Sequence, residues 1–312
     1  MKTNKKLCLL SCITIIIFLC GCAPQDGVTV DETDYHQGTR GLEMSFIPNA
    51  PPNKIYDGDP MDIIIELRNM GAYPETDSFE GKLEVSGFDP NAIRGSWEGG
   101  NHIPVSLRGK SIEYPEGGYE IKTYSDNRGV KVPFEGPKYD ASILITSCYK
   151  YKTIANPIIC IDPEPYKIIE ERKVCHYDDS ISTGGSQGAP VAITRIEERV
   201  SSDHIIFDIY IRNVGNGKVI DWASYDSCPF ELELKDVNRV RVNAKLAFDS
   251  HPQCTPKGSG SEPIILRSAG EGFITCKFKK PVADTAFRTP LHIELDYAYS
   301  SSIEKRVEII KV

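Results

Sequence analysis

Residues 62–71 read DIIIELRNMG, and residues 206–215 read IFDIYIRNVG, 144 positions later. In both copies apolar side chains alternate with other residues, and the run ends at Asn-x-Gly. Alternation with a period of two is the pattern of a β-strand that buries one face. Asn and Gly tolerate the positive φ of a tight turn, so each strand is predicted to end there. A repeat this long indicates two copies of a domain, because solenoid units span about 20–50 residues.

The sequence around both copies predicts an all-β fold. Short alternating runs rich in Val, Ile, Thr and Tyr are separated by turn residues, and no segment has a convincing helical pattern. Near the end of the chain, residues 291–299 and 304–312 are predicted as two separate strands. The predicted organisation is a signal segment at 1–22, a flexible tether at 23–40, domains at 41–165 and 190–312, and between them a connector at 166–189 with a flexible Gly/Ser-rich stretch.

The N-terminus has the order of a signal peptide. A positive stretch at residues 1–6 is followed by an apolar run at residues 7–22. That run is shorter than the roughly 20 residues that span a bilayer comfortably. The alternative is an uncleaved signal anchor. Both interpretations place the rest of the chain on the outer side of a membrane.

The apolar run ends in LCGC at residues 19–22. This resembles the lipobox of prokaryotic lipoproteins, Leu-x-Gly-Cys, although Cys20 stands where Ala or Ser is usual. The resemblance implies cleavage before Cys22 and a diacylglycerol on its thiol, which is a good nucleophile for alkylation. The expected location is therefore the cell membrane, lipid-anchored and facing the extracytoplasmic side.

An apolar strand that ends in Asn-x-Gly is also similar to CARDB-type modules, the immunoglobulin-like β-sandwiches of archaeal and bacterial surface proteins. The matching positions are Asn69 and Gly71, and Asn213 and Gly215. The resemblance implies two immunoglobulin-like β-sandwich domains. Both copies depart from the pattern in carrying Cys, and the first has a long insertion at about residues 87–118. The whole chain resembles uncharacterised archaeal lipoproteins, which implies no activity.

Six cysteines lie after the signal segment and are disulfide candidates, because an even number in an exported protein indicates disulfides: Cys148, Cys160, Cys175, Cys228, Cys254 and Cys276. The sequence does not choose among their pairings. Nearness in sequence favours Cys254 with Cys276 and Cys148 with Cys160, which leaves Cys175 with Cys228. A zinc site is the rival, but no two of the six have the Cys-x2–4-Cys spacing of structural zinc.

The charge and motifs exclude several function classes. The formal net charge is −8, which argues against nucleic-acid binding by the folded region. Phosphate loops, redox Cys pairs and nucleophile elbows are absent from the sequence, and no cofactor is expected. Three carboxylates are candidate Ca²⁺ ligands, since Ca²⁺ takes several oxygens: Asp57, Asp59 and Asp62. Asp-Gly-Asp is equally an ordinary turn.

Aromatic residues are the candidates for binding. Trp97 lies in a Gly-rich stretch, where it is either a contact anchor for a partner or part of the core. Trp222 is predicted to pack in the core. Several tyrosines are predicted to form a sugar- or protein-binding face: Tyr114, Tyr119, Tyr124, Tyr149 and Tyr151.

These observations predict a membrane-anchored binding or structural module of the cell envelope, without catalysis. Its expected partners are the membrane, through the lipid, and an unidentified envelope protein or polysaccharide. The alternative is a secreted hydrolase, or an accessory subunit of an envelope enzyme. Acids in and around the first-half insertion would then face each other across a cleft: Asp89, Glu98, Glu113 and Glu116.

Overall fold

The computed structural model describes residues 35–98, 103–166, 173–183, 185–256, 262–267 and 269–312. Within these ranges the chain is almost entirely β, as predicted, and its single helical element is a short 3₁₀ helix at Trp222–Ser227. No helix in the described ranges is long and apolar enough to cross a membrane. The predicted signal segment, with Cys22, lies outside the described residues.

The two sequence repeats form strands in corresponding places of the two halves. The first half contains β1 (Leu42–Phe46), β2 (Lys54–Tyr56), β3 (Met61–Asn69), β4 (Gly81–Ser86), β5 (Ser96–Trp97), β6 (Ile103–Val105), β7 (Tyr119–Asp126), β8 (Lys138–Ala155) and β9 (Ile158–Ile161). The second half contains β10 (Ser180–Ile181), β11 (Val191–Val200), β12 (His204–Asn213), β13 (Lys218–Ile220), β14 (Arg239–Leu246), β15 (Gln253–Thr255), β16 (Ile264–Ile265), β17 (Glu271–Lys279) and β18 (Phe287–Ile310).

These strands form three sheets. The order β1-β3-β7-β5 belongs to the first half, and the order β10-β11-β12-β17-β15 belongs to the second. The third sheet contains strands of both halves in the order β16-β14-β18-β8-β4-β6, with β13, β2 and β9 also paired to β18. Each repeat strand, β3 or β12, therefore lies inside the small sheet of its own half, while the large sheet is common to both.

The repeat strands bury the face that alternation predicted. In β3 the side chains of Ile63, Ile65 and Leu67 have no exposed surface, and in β12 Phe207 and Ile209 have none. All five belong to one apolar cluster that includes inner-face residues of the shared sheet. Burial of large apolar side chains at roughly 1.5–3 kcal/mol each is the main force that holds the sheets together.

The shared sheet is joined by one long antiparallel pair. Strand β8 pairs with β18 from Ala155 opposite Ile293 to Lys138 opposite Ile310. The prediction of two strands within residues 291–312 is wrong, because the polar residues between them continue the ladder opposite β8. Residues Tyr35–Val312 consequently form one compact unit, in which each half keeps a small sheet of its own.

The connector is packed against the chain rather than free. Gln187 is buried, and its side chain accepts the amide of Ile193 at 2.8 Å. Gly188, at positive φ, accepts the Ala72 amide through its carbonyl at 2.8 Å. The flexible linker predicted for this stretch is therefore wrong for these residues, since both are fixed by hydrogen bonds to ordered strands and turns.

The Asn-x-Gly turns are held by a second repeat, Tyr-x-Tyr, which occurs at residues 149–151 and 297–299. Tyr151 Oη donates to Asn69 Oδ1 at 3.4 Å and accepts the Tyr73 amide at 3.2 Å. Asn69 Nδ2 donates to the Tyr73 carbonyl at 2.8 Å. In the second half, Tyr299 Oη donates to Asn213 Oδ1 at 3.1 Å. The repeated asparagines therefore close the turns by linking them to the shared sheet.

The glycines of these turns are required for a different reason from the predicted one. Neither Gly71 nor Gly215 has a positive φ, so the predicted conformational role is wrong. A Cβ on Gly215 would lie 2.4 Å from the hydroxyl oxygen of Tyr299, and one on Gly71 would overlap Tyr151 in the same way. The absence of a side chain makes room for the tyrosine hydroxyl.

Three disulfides form among the described residues, and their pairing corrects part of the prediction. Cys254–Cys276 is confirmed, and it links β15 to β17 directly opposite each other. The predicted pair Cys148–Cys160 is wrong. Strands β8 and β9 both pair with β18, one after the other, which separates Cys148 from Cys160 by roughly 40 Å along the ladder.

The observed partners come from segments that cross the sheet. Cys148 bonds to Cys228, which follows the 3₁₀ helix on the outer face of the shared sheet, with a Cα–Cα distance of 6.2 Å. Cys160 bonds to Cys175, which closes the end of the first half on itself. The predicted Cys175–Cys228 pair is wrong for the same reason.

Candidate functional site

A pocket of about 200 Å³ lies where the beginning of the first half meets the second half. Three segments bound it: residues 39–44, which lead into β1; residues 215–217, in the turn after β12; and residues 301–303 of β18. Tyr149, Tyr299 and Pro190 complete the lining. Because β1 and β18 belong to different halves, the pocket exists only when the two halves are folded together.

Two tyrosines from the shared sheet contribute to the lining. Tyr149 of β8 lies directly opposite Tyr299 of β18, with ring centroids 5.9 Å apart. Burial raises the pKa of both hydroxyls, most strongly that of Tyr149, which is 1% exposed. Both hydroxyls are therefore neutral near neutral pH and can act as hydrogen-bond donors as well as acceptors.

The hydrogen bonds of the two tyrosines differ. Tyr299 Oη is used twice, because it donates to Asn213 and accepts the Gly217 amide at 2.7 Å. Tyr149 Oη accepts the Leu42 amide at 3.1 Å. In the part of the chain that the structure describes, no oxygen accepts the proton of Tyr149. Because the pocket opens to solvent, the acceptor of this proton is a water molecule or a ligand oxygen inside the pocket.

Tyr297, the counterpart of Tyr149 in the second half, has an acceptor for its hydroxyl proton. Tyr297, 148 positions later, accepts the Val191 amide, as Tyr149 accepts that of Leu42. Its hydroxyl also lies 3.0 Å from Thr153 Oγ1, which donates to the Val191 carbonyl at 2.5 Å. Thr153 is therefore the acceptor for the Tyr297 proton, so the Tyr297 hydroxyl both donates and accepts within the protein.

Two serines stand where the corresponding positions of the other half carry larger side chains. Ser301 stands at the place that corresponds to Thr153, and Ser147 stands at the place that corresponds to Leu295. Ser301 Oγ lies 3.0 Å from Ser147 Oγ and forms a hydrogen bond with it, not with Tyr149. Ser301, which lacks the methyl group of Thr153, lines the pocket with Tyr149, and Ser147 lies opposite Ser301 in the ladder.

The rest of the lining consists of one ion pair and an apolar wall. Arg40 Nη1 donates to both carboxylate oxygens of Glu43, at 2.6 and 2.7 Å, and both side chains are about half exposed. Four apolar side chains also line the pocket: Leu42, Met44, Pro190 and Ile303. The site therefore offers neutral hydroxyls, a compensated ion pair and apolar surface.

The predicted aromatic binding residues do not form one surface. Trp97 is 4% exposed and packs edge-on against Tyr124, with centroids 5.3 Å apart, so it is part of the core and not a contact anchor. Tyr149 and Tyr151 are buried as well, whereas Tyr114 and Tyr119 are exposed. The single tyrosine face that the sequence predicted is therefore wrong.

Trp222, unlike Trp97, is not in the core, so the prediction that it packs there is wrong. It begins the 3₁₀ helix on the outer face of the shared sheet, where Lys150 and Lys152 lie 5.5 and 5.6 Å from its ring. Lys152 also pairs with Glu294 and Asp296, at 2.5 and 2.8 Å. These contacts place Trp222 over the outer face of the shared sheet, near Cys148–Cys228.

The candidate Ca²⁺ ligands have separate partners. Asp57 Oδ2 accepts the Val132 amide at 3.2 Å, and Asp62 Oδ1 accepts from Ser125 Oγ at 2.6 Å. Asp59 is exposed. Among the described residues no group of three or more His, Cys, Asp or Glu side chains is arranged to hold a metal ion. Asp57 therefore joins two loops, and Asp62 joins β3 to β7.

The acids of the hydrolase alternative are spread over different elements. Asp89 Oδ1 accepts the Asn91 amide in a tight turn after β4. Glu98 and Glu113 are exposed, and Glu116 is an exposed partner of Arg68 at 3.6 Å.

The pocket was not predicted from the sequence, although a signal for it exists. The Tyr-x-Tyr repeat, at the same offset in both halves, identifies the tyrosines of the shared sheet. At two corresponding positions the halves differ: Thr153 corresponds to Ser301, and Leu295 corresponds to Ser147. The smaller serines lie on the side of the shared sheet where the pocket forms. Reading that signal requires the β8–β18 register, which alternation alone does not supply.

Comparison with known proteins adds little to this description. No family model matches the chain, and no curated protein matches it. Among solved structures, a DUF4466 family protein from Parabacteroides merdae is similar at 9% identity, over 83% of this chain and 99% of that chain, with a TM-score of 0.14. A likeness at this level carries no argument about the fold or the function.

Proposed function

We propose that this chain is a lipid-anchored, extracytoplasmic protein of the cell envelope that binds an envelope component in the pocket between its two halves. The observation that carries the proposal is the set of three disulfides in the described residues. Disulfides persist in oxidising compartments and are rare inside cells. They agree with the signal pattern and lipobox-like motif of residues 1–22, which give the anchoring residue as Cys22.

The resemblance to surface lipoproteins and CARDB-type modules belongs to this proposal as well. Each half keeps one small sheet that faces the shared sheet, which supports a tandem β-sandwich interpretation. A rigid β scaffold with a pocket suits binding, since sites on such folds are formed where loops and strand ends meet. Lipid attachment would hold that pocket at the membrane surface.

The location is tested with intact cells that produce the full chain. Protease added outside is expected to digest the folded part only after thiol reduction loosens it, while an intracellular marker stays whole. Non-reducing peptide maps of protein isolated without reductant are expected to contain all three disulfide-linked peptides. Free thiols at these six cysteines, or protection of the protein until the cells are lysed, would contradict the proposal.

A further inference from the structure

We propose that the pocket holds a single neutral sugar residue, and that the Tyr149 hydroxyl donates a hydrogen bond to one of its oxygens. This inference rests on the proposed function, because it names the class of envelope component that the pocket would take. It is carried by a buried donor without an acceptor in the described chain, and by Ser301, which lines the pocket and bonds to Ser147 instead of to Tyr149.

The charge of the pocket favours a neutral ligand. Arg40 and Glu43 compensate each other through two hydrogen bonds, so no unpaired cation is left in the lining for a phosphate or a carboxylate. Tyrosine hydroxyls are protonated near neutral pH, and burial raises the pKa of these two further. Protonated hydroxyls and serines can donate and accept, which matches a ligand that carries several hydroxyl groups.

The size and shape of the pocket favour one sugar ring. A volume of about 200 Å³ is below the roughly 300–1,000 Å³ of sites for drug-sized molecules. A pyranose has an edge of hydroxyls and a face of C–H groups. The hydroxyl edge would meet Tyr149 and Ser301, while the C–H face would pack on Leu42, Met44 and Ile303.

The rim is accessible. Arg40, Glu43 and Ser302 line the pocket and are exposed or about half exposed. A sugar at the end of a glycan, or at a branch, can therefore enter from the solvent while the rest of the glycan stays outside. A free monosaccharide would fit the same pocket, so the test includes free sugars as well as sugars at the ends of glycans.

The test uses the purified full chain in detergent. Saturation-transfer NMR and calorimetric titration would be run with glucose, galactose, mannose and N-acetylglucosamine at millimolar concentration. The same four sugars would also be presented as ends of a short glycan. Inorganic phosphate and glycerol are the anion and small-polyol comparisons. At least one neutral sugar is expected to bind, and phosphate is not.

Two variants connect binding to the pocket. Tyr149→Phe removes the donor and keeps the ring, so the affinity is expected to fall about tenfold, which corresponds to the loss of one hydrogen bond of about 1.4 kcal/mol. Ser147→Leu restores the side chain of the counterpart position and is expected to abolish binding. The matched control is Tyr297→Phe, which removes an equally buried hydroxyl at the corresponding position and is expected to leave affinity unchanged.

Thermal unfolding of each variant confirms that it is folded before binding is measured. The proposal is overturned if no neutral sugar binds the wild-type chain, if phosphate binds instead, or if Tyr149→Phe binds as well as Tyr297→Phe. Such a result leaves the proposed location untouched, because that rests on protease accessibility and disulfide mapping. A chain found inside the cell would overturn the location even if sugar bound.

Discussion

At the scale of single residues, the Asn-x-Gly turn depends on how closely a tyrosine hydroxyl approaches a glycine. Gly215 faces Tyr299 at a distance that leaves no room for a methyl group. We predict that Gly215→Ala destabilises the protein by roughly 2 kcal/mol, since overpacking of a buried site costs 1–3 kcal/mol. The free energy of unfolding in urea measures this cost.

A double-mutant cycle separates this steric effect from a loss of backbone freedom. Tyr299→Phe alone loses hydrogen bonds to Asn213 and Gly217 and is expected to cost roughly 1–3 kcal/mol. In the Gly215→Ala background, Tyr299→Phe also relieves the clash. The double variant should therefore be destabilised by less than the sum of the two single variants. Strict additivity would show that the hydroxyl is not what excludes a side chain at Gly215.

Glu198 is a second residue with a defined physical consequence. It is 1% exposed, and its Oε1 has no hydrogen-bond partner. Burial, and then the charges of Asp178 and Asp162, raise its pKa from 4.5 to about 8. Lys173, the nearby cation, is paired with Asp162 at 2.5 Å. The Glu198 carboxyl is therefore protonated in the folded protein near neutral pH.

This gives stability a pH dependence of known sign. Between pH 4.5 and 8 the unfolded chain loses the Glu198 proton while the folded chain keeps it. Stability should therefore fall as the pH rises through that window, by as much as roughly 1.4 kcal/mol per pH unit, and then level off. Urea unfolding at several pH values measures the slope.

Glu198→Gln should flatten this contribution, because the amide does not titrate. Glu197→Gln, next to it in β11 but partly exposed and paired with Arg195, is the matched control and should keep the wild-type slope. Equal slopes in the two variants would show that Glu198 is not the titrating group.

The sequence predicted which single residues are buried, but not the roles that depend on contacts with residues distant in the chain. The alternation of residues 62–71 correctly assigned buried positions such as Ile63 and Leu67, because period two is a local property. The role of Gly71 was assigned to backbone conformation, but it depends on Tyr151, 80 positions away. Trp97 and Trp222 were uncertain or wrong for the same reason: a loop residue carries no periodic signal about which side it faces.

At the scale of elements, the disulfides differ in how much chain they constrain. Cys148–Cys228 encloses 80 residues, while Cys160–Cys175 encloses 15. Chain-entropy arguments then give about 4.5 kcal/mol for the first and about 3 kcal/mol for the second. We predict that the double variant Cys148→Ala/Cys228→Ala loses more stability than Cys160→Ala/Cys175→Ala.

Denaturant unfolding of the two double variants, under identical non-reducing conditions, measures the difference. The same result would support the role of Cys148–Cys228 in fixing the 3₁₀ segment over the shared sheet. A larger loss in the Cys160 and Cys175 variant would contradict this ordering.

The sequence predicted the existence of most strands, but not which strands pair over a distance. Residues 62–71 and 206–215 were expected to be strands, and β3 and β12 occupy them. The length of β18 was missed because Ser300, Ser301 and Ser302 interrupt the apolar pattern. In the structure these serines continue the ladder, with hydrogen bonds from Ser301 and Ser302 to Ser147 and Thr146.

At the scale of the whole molecule, the two halves share both a sheet and the candidate site. An isolated first half would expose the edge of β8, an 18-residue strand. Long unpaired edges associate with other chains. We predict that residues 41–165 alone are aggregated or dimeric, whereas residues 35–312 are monomeric at the same concentration. Light scattering after gel filtration distinguishes them, and a monomeric, cooperatively unfolding first half would contradict the prediction.

The two repeated stretches form β3 and β12, and the strand–turn–tyrosine arrangement recurs with each of them. The pocket could not be predicted, because it arises where the halves differ and where β1 approaches β18. Differences between copies, such as Ser301 for Thr153, acquire meaning only once the register is known.

The account as a whole depends on an anchored chain, so the N-terminal peptide of the protein isolated from membranes is the most direct test. Mass spectrometry of that peptide is expected to show Cys22 as the first residue, with the added mass of a lipid on its thiol. Cys20→Ser, which restores a usual lipobox residue, should give the same modified peptide, and Cys22→Ser should give none. A wild-type peptide that begins elsewhere, or that begins at an unmodified Cys22, would contradict the account.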